Sequence, residues 1–183
     1  MNILGIIASS RLAAAGDFES IATVTVGSGG SPEIEFASIP STYTHLQLRC
    51  MALTAAGGKV MVMRFNSDTG ANYTWHFLNG QGSSATSGNA TGNSYSRFFG
   101  QNIGTSTTNP TVAVVDLLDY TNTNKYTTMR SLAGSDNNGS GEVALESSLW
   151  LDTTAISNIK IRLNDGTNYA QYTHIALYGI KGA

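Results

Sequence analysis

Three histidines, His45, His76 and His174, are the first residues in this chain that could perform chemistry. Two of them lie in nearly identical hexamers, YTHLQL at 43–48 and YTHIAL at 172–177. Three imidazoles can hold a zinc ion and leave one coordination position open. Zinc-binding sequences usually place two ligands close together, as in HxH or HxxxH, and this chain has no such pair. We therefore predict no metal site and no cofactor.

Other residue types that support catalysis lack a matching arrangement. Nucleophilic catalysis needs a nucleophile, a base and an orienting group, but the sequence has no GxSxG motif, and its single cysteine, Cys50, lies in an alternating stretch. Glu142 and Glu146 could share one strand face as a glycosidase pair, although two carboxylates on an exposed edge are usually only solvated. A hydrolase that uses Glu142, Glu146 or His76 is the alternative. We predict that the protein is not an enzyme.

Aromatic residues suggest a binding function instead of a catalytic one. Tyr73 and Trp75 share a face in the stretch Tyr-Thr-Trp-His-Phe, and Trp150 follows a second apolar run. Exposed rings beside polar groups bind sugars, but aromatic rings also bury the most area in a core or an interface. Tyr73, Trp75 and Trp150 are therefore candidates either for ligand binding or for packing.

Composition and charge exclude two classes of partner. The chain has 183 residues, a net charge of −2 and only 12% charged residues, and its lysines and arginines form no cluster. A nucleic-acid groove needs clustered positive charge, so we predict no nucleic-acid partner. No stretch approaches the roughly 20 apolar residues that cross a bilayer, so we also predict no membrane partner.

Alternation of apolar and polar residues predicts an all-β protein of about ten strands. Each alternating stretch reads as a strand with one face in a core and the other in water, and glycine-containing turn signals separate the stretches. We expect an antiparallel β-sandwich, jelly-roll-like, in one domain over residues 17–183. The clearest alternating apolar pairs and triplets are Val24 and Val26; Ile34 and Phe36; Leu46, Leu48 and Cys50; and Ile159, Ile161 and Leu163.

Some predicted strands are apolar on both faces, so both faces must be covered. They span residues 60–65, 111–119, 143–151 and 174–180. A central position in a sandwich would cover both faces, and so would a subunit interface. Residues 80–109 are rich in Gly, Ser, Thr and Asn, and we expect a long loop there. Either it holds a short edge strand near 94–99, or it is a loop ordered only by a neighbouring subunit.

The two hexamers have a companion repeat, which favours an architectural explanation. RFNSDTGANY at 64–73 resembles RLNDGTNY at 162–169, but the order of the two motifs is reversed between the copies. Period-two geometry places His45 and His174 on the faces opposite the aliphatic residues of their hexamers. The Asn residues that follow the arginines suit the capping of turns. We therefore interpret both repeats as strands that solve the same packing problem.

The first 16 residues differ from the sandwich and are predicted to be an N-terminal anchoring arm. Four apolar residues, Ile3, Leu4, Ile6 and Ile7, are the candidates for attachment to a partner. A short helix within residues 3–15 is an option. Because no Lys or Arg precedes the apolar run, we expect the segment to be retained and not cleaved as a signal peptide.

Three segments carry a resemblance to a known class of proteins. They are SIATVTVGSGGSPEIEFASIPSTYTHLQLR at 20–49, RFNSDTGANY at 64–73 and YTHIALYGIK at 172–181. In these segments the chain resembles small structural proteins encoded by tailed bacteriophages, particularly marine and aquatic ones. The likeness runs from about residue 20 to residue 181 and carries no catalytic motif.

The resemblance implies a β-sandwich that functions in the virion without catalysis. The first expectation is an exposed multimeric subunit, such as a head decoration or cement protein, which forms a homotrimer and contacts the major capsid protein or a tail protein. The alternative is a tail or fibre component that binds a receptor or a host-surface glycan. In that case the loops at 80–109 and 134–141 would face outward.

Overall fold

The computed structural model describes residues 17–100 and 102–182, in which the chain forms twelve β-strands and no helix. The segment predicted as an anchoring arm, with Ile3, Leu4, Ile6 and Ile7, lies outside the described residues. The strands are β1 (Phe18–Thr25), β2 (Glu33–Phe36), β3 (His45–Ala52), β4 (Met61–Phe65), β5 (Tyr73–Gln81), β6 (Ser84–Asn93), β7 (Ser96–Phe99), β8 (Thr111–Leu118), β9 (Thr127–Asp136), β10 (Gly141–Trp150), β11 (Ile159–Leu163) and β12 (His174–Ile180). Within the described ranges, no helix is long and apolar enough to cross a membrane.

The strands form two antiparallel sheets, which confirms the predicted all-β sandwich. The large sheet has eight strands in the order β1-β12-β3-β8-β9-β10-β5-β6, and the small sheet has four in the order β2-β11-β4-β7. In each sheet some neighbouring strands come from opposite ends of the chain, as β1 does with β12 and β2 does with β11. Twelve strands are present where about ten were predicted.

A jelly roll lies at the centre of this architecture. Without the β5–β6 and β9–β10 hairpins, the remaining eight strands form two four-stranded sheets, β1-β12-β3-β8 and β2-β11-β4-β7. Two sheets of four strands that wrap the chain in this way are the jelly-roll arrangement. The two hairpins join the large sheet side by side and extend it beyond the four strands that the small sheet can match.

The core lies between the sheets and follows the predicted alternation. In β3 the burial pattern alternates strictly from residue to residue, with Leu46 and Leu48 buried and His45 on the opposite face. In the small sheet, Ile159 and Ile161 face the same core. Burial of such aliphatic side chains stabilises the fold by about 1.5–3 kcal/mol for each residue that is fully removed from water.

The repeated motifs occupy paired neighbouring strands, which explains their reversed order. The two histidine hexamers enter β3 and β12, which pair with each other in the large sheet. The RFN and RLN motifs end β4 and β11, which pair with each other in the small sheet. An approximate two-fold relation exchanges β3 with β12 and β4 with β11. Because β3 precedes β4 in the chain whereas β12 follows β11, the two motifs appear in opposite order in the two copies.

The asparagines of the RFN and RLN motifs, Asn66 and Asn164, each bind the backbone just before the other's strand. The Asn66 side chain accepts hydrogen bonds from the backbone N–H groups of Ser157 and Asn158, which precede β11. The Asn164 side chain accepts one from the backbone N–H of Val60, which precedes β4. Each Asn therefore fixes the start of the strand that pairs with its own, whereas the sequence had suggested that it caps the turn after its own strand.

The prediction of a long loop over residues 80–109 was wrong. Most of that segment forms β6 and β7, and the predicted edge strand near 94–99 is present as β7. Asn79 and Gly80 lie inside β5, and the chain turns at Gly82, where φ is 57°. Small polar residues formed a strand here because pairing with β5 satisfies their backbone groups.

Candidate functional site

The structure keeps the three histidines apart. On neighbouring strands β3 and β12, His45 pairs with Ile180 while His174 pairs with Met51. Six residues of strand therefore separate the two imidazoles along the sheet, which is roughly 20 Å, and His76 lies on the distant β5. Across residues 17–100 and 102–182, no group of three or more His, Cys, Asp or Glu is placed to hold a metal ion.

Both hexamer histidines make local contacts that tie strands together. His45 Nδ1 lies 3.0 Å from the backbone nitrogen of Asp119, which donates to it, and 3.3 Å from that residue's carboxylate. His174 Nδ1 lies 3.0 Å from the Thr25 hydroxyl on the adjacent strand β1. These bonds anchor the end of β8 and the edge strand β1.

The carboxylates Glu142 and Glu146 do share a face of β10, but that face is buried and not an exposed edge as expected. Glu146 is fully buried, and its Oε1 accepts a hydrogen bond from Arg97 Nε on β7 at 3.1 Å. Glu142 accepts bonds from the side-chain amides of Asn79 and Asn102, at 2.8 and 3.4 Å. The guanidinium therefore contacts Glu146, whereas Glu142 is held by two side-chain amides.

Burial changes the protonation of both groups. Loss of water raises the pKa of Glu146 to about 7, although the attraction of Arg97 works in the opposite direction. Burial also raises the pKa of Glu142, and the amide of Asn79 and the charge of Arg97 oppose that rise. Glu146 Oε2 has no hydrogen-bond partner among the described residues, and this further disfavours the ionised form.

The three aromatic candidates for ligand binding are placed differently from one another. Tyr73 and Trp150 are core residues with exposures of 0% and 2%, and their rings pack with Phe65. Trp75 is half-buried, and the Arg97 guanidinium lies 5.1 Å from its ring centroid. Of the three rings, Trp75 alone keeps part of its surface open to a ligand.

The main candidate site is the outer surface of the large sheet, which faces away from the small sheet. Seven large aliphatic side chains on five adjacent strands form it, with exposures between 37% and 59%. We call this surface the outer apolar face. Its members are Met51, Leu78, Val112, Val114, Leu132, Val143 and Leu145.

The outer apolar face consists of two rows that run across the strands. In the first row, Val114 pairs with Leu132, Leu132 with Leu145, and Leu145 with Leu78. The second row contains Met51, Val112, Gly134, Val143 and Gly80, in that order from β3 to β5. Because glycine has no side chain, the second row is lower at two places than the first.

These low places form two apolar depressions. One, of about 590 Å³, extends from β3 to β10 and is lined by Met51, Val112, Leu132, Gly134 and Val143, and also by Arg49 and His174. The other, of about 310 Å³, lies over Gly80 beside Leu78 and Leu145. The surface therefore alternates protruding leucines with glycine-floored hollows.

Polar residues border the apolar rows. On one side, the Gln47 side-chain amide donates to Asp116 at 2.9 Å, and Arg130 lies 3.7 Å from the same carboxylate. On the other side, Asp136 closes β9, where its carboxylate accepts from the backbone N–H of Asn138. An apolar centre with a polar border is the usual anatomy of a protein–protein interface.

Sequence reasoning anticipated part of this surface and missed the rest. The apolar second faces of β8 and β10 pointed to it, and Val112, Val114, Val143 and Leu145 belong to those strands. Leu132 was missed because β9 was not predicted as a strand. The alternation of Thr127, Met129, Ser131 and Ala133 with outward residues was the available signal.

Comparison of the sequence with known proteins adds no residue roles. No protein-family model matches the chain, and no curated protein is significantly similar to it.

Proposed function

We propose that this protein is a non-enzymatic structural subunit of a bacteriophage virion, exposed on the particle and multimeric, such as a head decoration or cement protein. The observation that carries the proposal is the outer apolar face. Seven exposed aliphatic side chains form one contiguous patch, and a contiguous apolar patch with a polar border is typical of a surface that binds a protein partner. An assembling subunit would cover them.

The fold is compatible with this function without selecting it. Jelly rolls occur in viral capsid proteins, but also in lectins and cupins, and a fold does not by itself imply a function. The proposal therefore rests on the outer apolar face together with the resemblance of residues 20–181 to phage structural proteins. The partners are copies of the same chain, for which a trimer stays our prediction, and a major capsid or tail protein.

Particle composition tests the proposal directly. We expect antibodies against the purified protein to label the heads of purified phage particles in electron microscopy, and mass spectrometry to find the chain in a fixed, repeated copy number. Absence of the chain from particles would overturn the proposal. Labelling confined to the tail would move the subunit from the head to the alternative location.

The predicted anchoring arm has its own test. Removing residues 2–16 should prevent incorporation into particles, whereas the truncated protein should unfold at the same urea concentration as the full chain. Normal incorporation of the truncated protein would exclude an anchoring role for Ile3, Leu4, Ile6 and Ile7.

The glycan-binding alternative now depends on Trp75, because Tyr73 and Trp150 are buried in the core. Glycan-array binding that Trp75→Ala abolishes would support a receptor-binding module instead. A phenylalanine replacement provides the matched control, because it keeps an aromatic face for stacking.

A further inference from the structure

The outward residues of β9 form a pattern that is complementary to its own reverse. Along the exposed face of this strand stand Arg130, Leu132, Gly134 and Asp136, in that order. Arg130 and Leu132 are exposed, with Leu132 at 59%, and Gly134 floors the larger depression. The strand thus presents a cation, a protrusion, a hollow and an anion. Read backwards, each feature meets its complement.

The neighbouring strands repeat the pattern in the same two rows. On β5, Leu78 and Gly80 occupy the rows of Leu132 and Gly134, because both strands pair with β10 in matching register. Between them, β10 places Leu145 in the leucine row and Val143 in the glycine row. Leu132 and Leu78 therefore stand beside Gly134 and Gly80, and Leu145 stands beside Val143.

We propose that a second copy of this chain covers the outer apolar face through a two-fold axis that lies between the two rows and runs across the strands. This operation sets the leucine row of each copy against the glycine row of the other. Leu132 then enters the hollow at Gly134 of the second copy, and Leu78 enters the hollow at Gly80. The inference rests on the proposed function, since both use the same face.

Charge and shape favour a second copy as the occupant over an unrelated partner. The same axis brings Arg130 of each copy toward Asp136 of the other, so two ion pairs close the ends of the contact. A two-fold interface must be self-complementary, because one patch meets an identical patch. Sheets that pack face to face lie about 10 Å apart and interdigitate their side chains, which the alternation of leucines and glycines permits.

Substitution of the central leucine tests the contact. The full-length protein should sediment as a two-fold assembly at tens of micromolar concentration, and Leu132→Glu should raise its dissociation constant by about 30-fold or more, as for a central interface residue. Leu151→Glu is the matched control, since this leucine is also exposed but lies beyond the end of β10, outside the face. Equal dissociation constants for the two variants would overturn the proposal.

A charge exchange separates the contact from a general effect on folding. Asp136→Arg places two like-charged pairs across the axis and should raise the dissociation constant about 10-fold. The double variant Arg130→Asp, Asp136→Arg restores the opposite pairs and should recover most of the affinity. Urea unfolding at a protein concentration below the dissociation constant measures the stability of the monomer. Failure of the double variant to recover affinity, with unfolding unchanged, would contradict the proposed axis.

A thiol probe identifies any other occupant. In Leu132→Cys, maleimide labelling should slow as protein concentration rises, and the native Cys50 is buried and gives little background. Protection that is independent of concentration and lost on removing residues 2–16 would assign the face to the chain's own N-terminal segment and overturn the inference. Fast labelling at every concentration would overturn it in favour of a different partner.

The mass of the assembly distinguishes this inference from the proposed function. A two-fold contact gives a dimer, or a hexamer if a three-fold contact forms elsewhere, whereas a closed trimer contains no two-fold axis. A trimer insensitive to Leu132→Glu would refute the two-fold pairing. Incorporation of the chain into particles would still uphold the virion role in that case.

Discussion

The buried carboxyl of Glu146 should make the protein less stable as the pH rises. The perturbation is Glu146→Gln, which keeps the size of the side chain and an oxygen that can accept from Arg97 but removes the titration. In the wild-type protein, Arg97 is the cation that contacts Glu146, and its guanidinium also lies 4.2 Å from the ring centroid of Phe77. Arg97 therefore offsets only part of the cost of ionising the buried Glu146 carboxyl.

The size of the effect follows from the pKa of Glu146, which burial raises from an ordinary 4.5 to about 7. Between these two pH values the folded state holds a proton that the unfolded state has lost. The free energy of unfolding therefore falls as pH rises, and the stability is fully present below about 4.5 and lost above about 7. At 1.36 kcal/mol for each pH unit, the loss is about 3 kcal/mol.

Urea unfolding at a series of pH values measures this loss. Between pH 4.5 and 7.5, Glu146→Gln should gain about 3 kcal/mol relative to the wild type, because the glutamine does not titrate. Glu35→Gln, at an exposed carboxylate on β2, is the control and should run parallel to the wild type. Curves for Glu146→Gln and the wild type that stay parallel within about 1 kcal/mol would refute the reasoning.

Three further predictions concern contacts inside the sandwich. Burial raises the pKa of Cys50 to about 12, so the native protein should not react with a disulfide reagent at pH 8. In urea, one thiol per chain should react. Rapid reaction of the native protein would contradict the buried position of Cys50. Asp68→Ala should lower the free energy of unfolding by about 2–3 kcal/mol, because it leaves the Trp150 indole N–H, now bonded at 2.7 Å, without an acceptor. Asn66→Ala, which loses two accepted backbone bonds at a φ of 51°, should cost about 2–3 kcal/mol, and Asn164→Ala, which loses one, about 1 kcal/mol. Urea titration measures the free energy of unfolding of all three alanine variants. Equal losses for the two asparagine variants would contradict the capping roles assigned to them.

Much of the fold was predictable because β-structure has a short period. Alternation over Leu46, Leu48 and Cys50, and over Ile159 and Ile161, located strands and the side chains that share a face. The hexamer and RFN repeats were correctly placed on strands. Their pairing as β3 with β12 and β4 with β11 was not predictable, since it joins residues more than 90 positions apart in the chain.

The hairpin over residues 73–93 shows where local signals failed. The segment SATSGNATGN of β6 has few apolar residues, and its composition is typical of a loop. It is a strand because its backbone pairs with β5 along most of its length. Backbone hydrogen bonds are available to any residue except proline, so a partner strand can impose a structure that the side chains do not indicate.

The candidate site was predictable in its residue types but not in its orientation. On β10 the sequence shows two sets of alternating residues, Glu142, Ala144 and Glu146 on one face, and Val143 and Leu145 on the other. Hydrophobicity alone would place the valine and leucine inside. The structure buries the glutamates instead, because Arg97 of β7, 49 residues away from Glu146, reaches that face.

The sequence by itself determined that this chain forms strands and which side chains of each strand lie together. Tertiary structure alone decided which face of each strand is covered. Period-two geometry assigns residues to faces, but burial depends on whether a second layer lies above them, and here a four-stranded sheet is packed against an eight-stranded one. Among the described residues, the outside of the larger sheet has no such second layer above it.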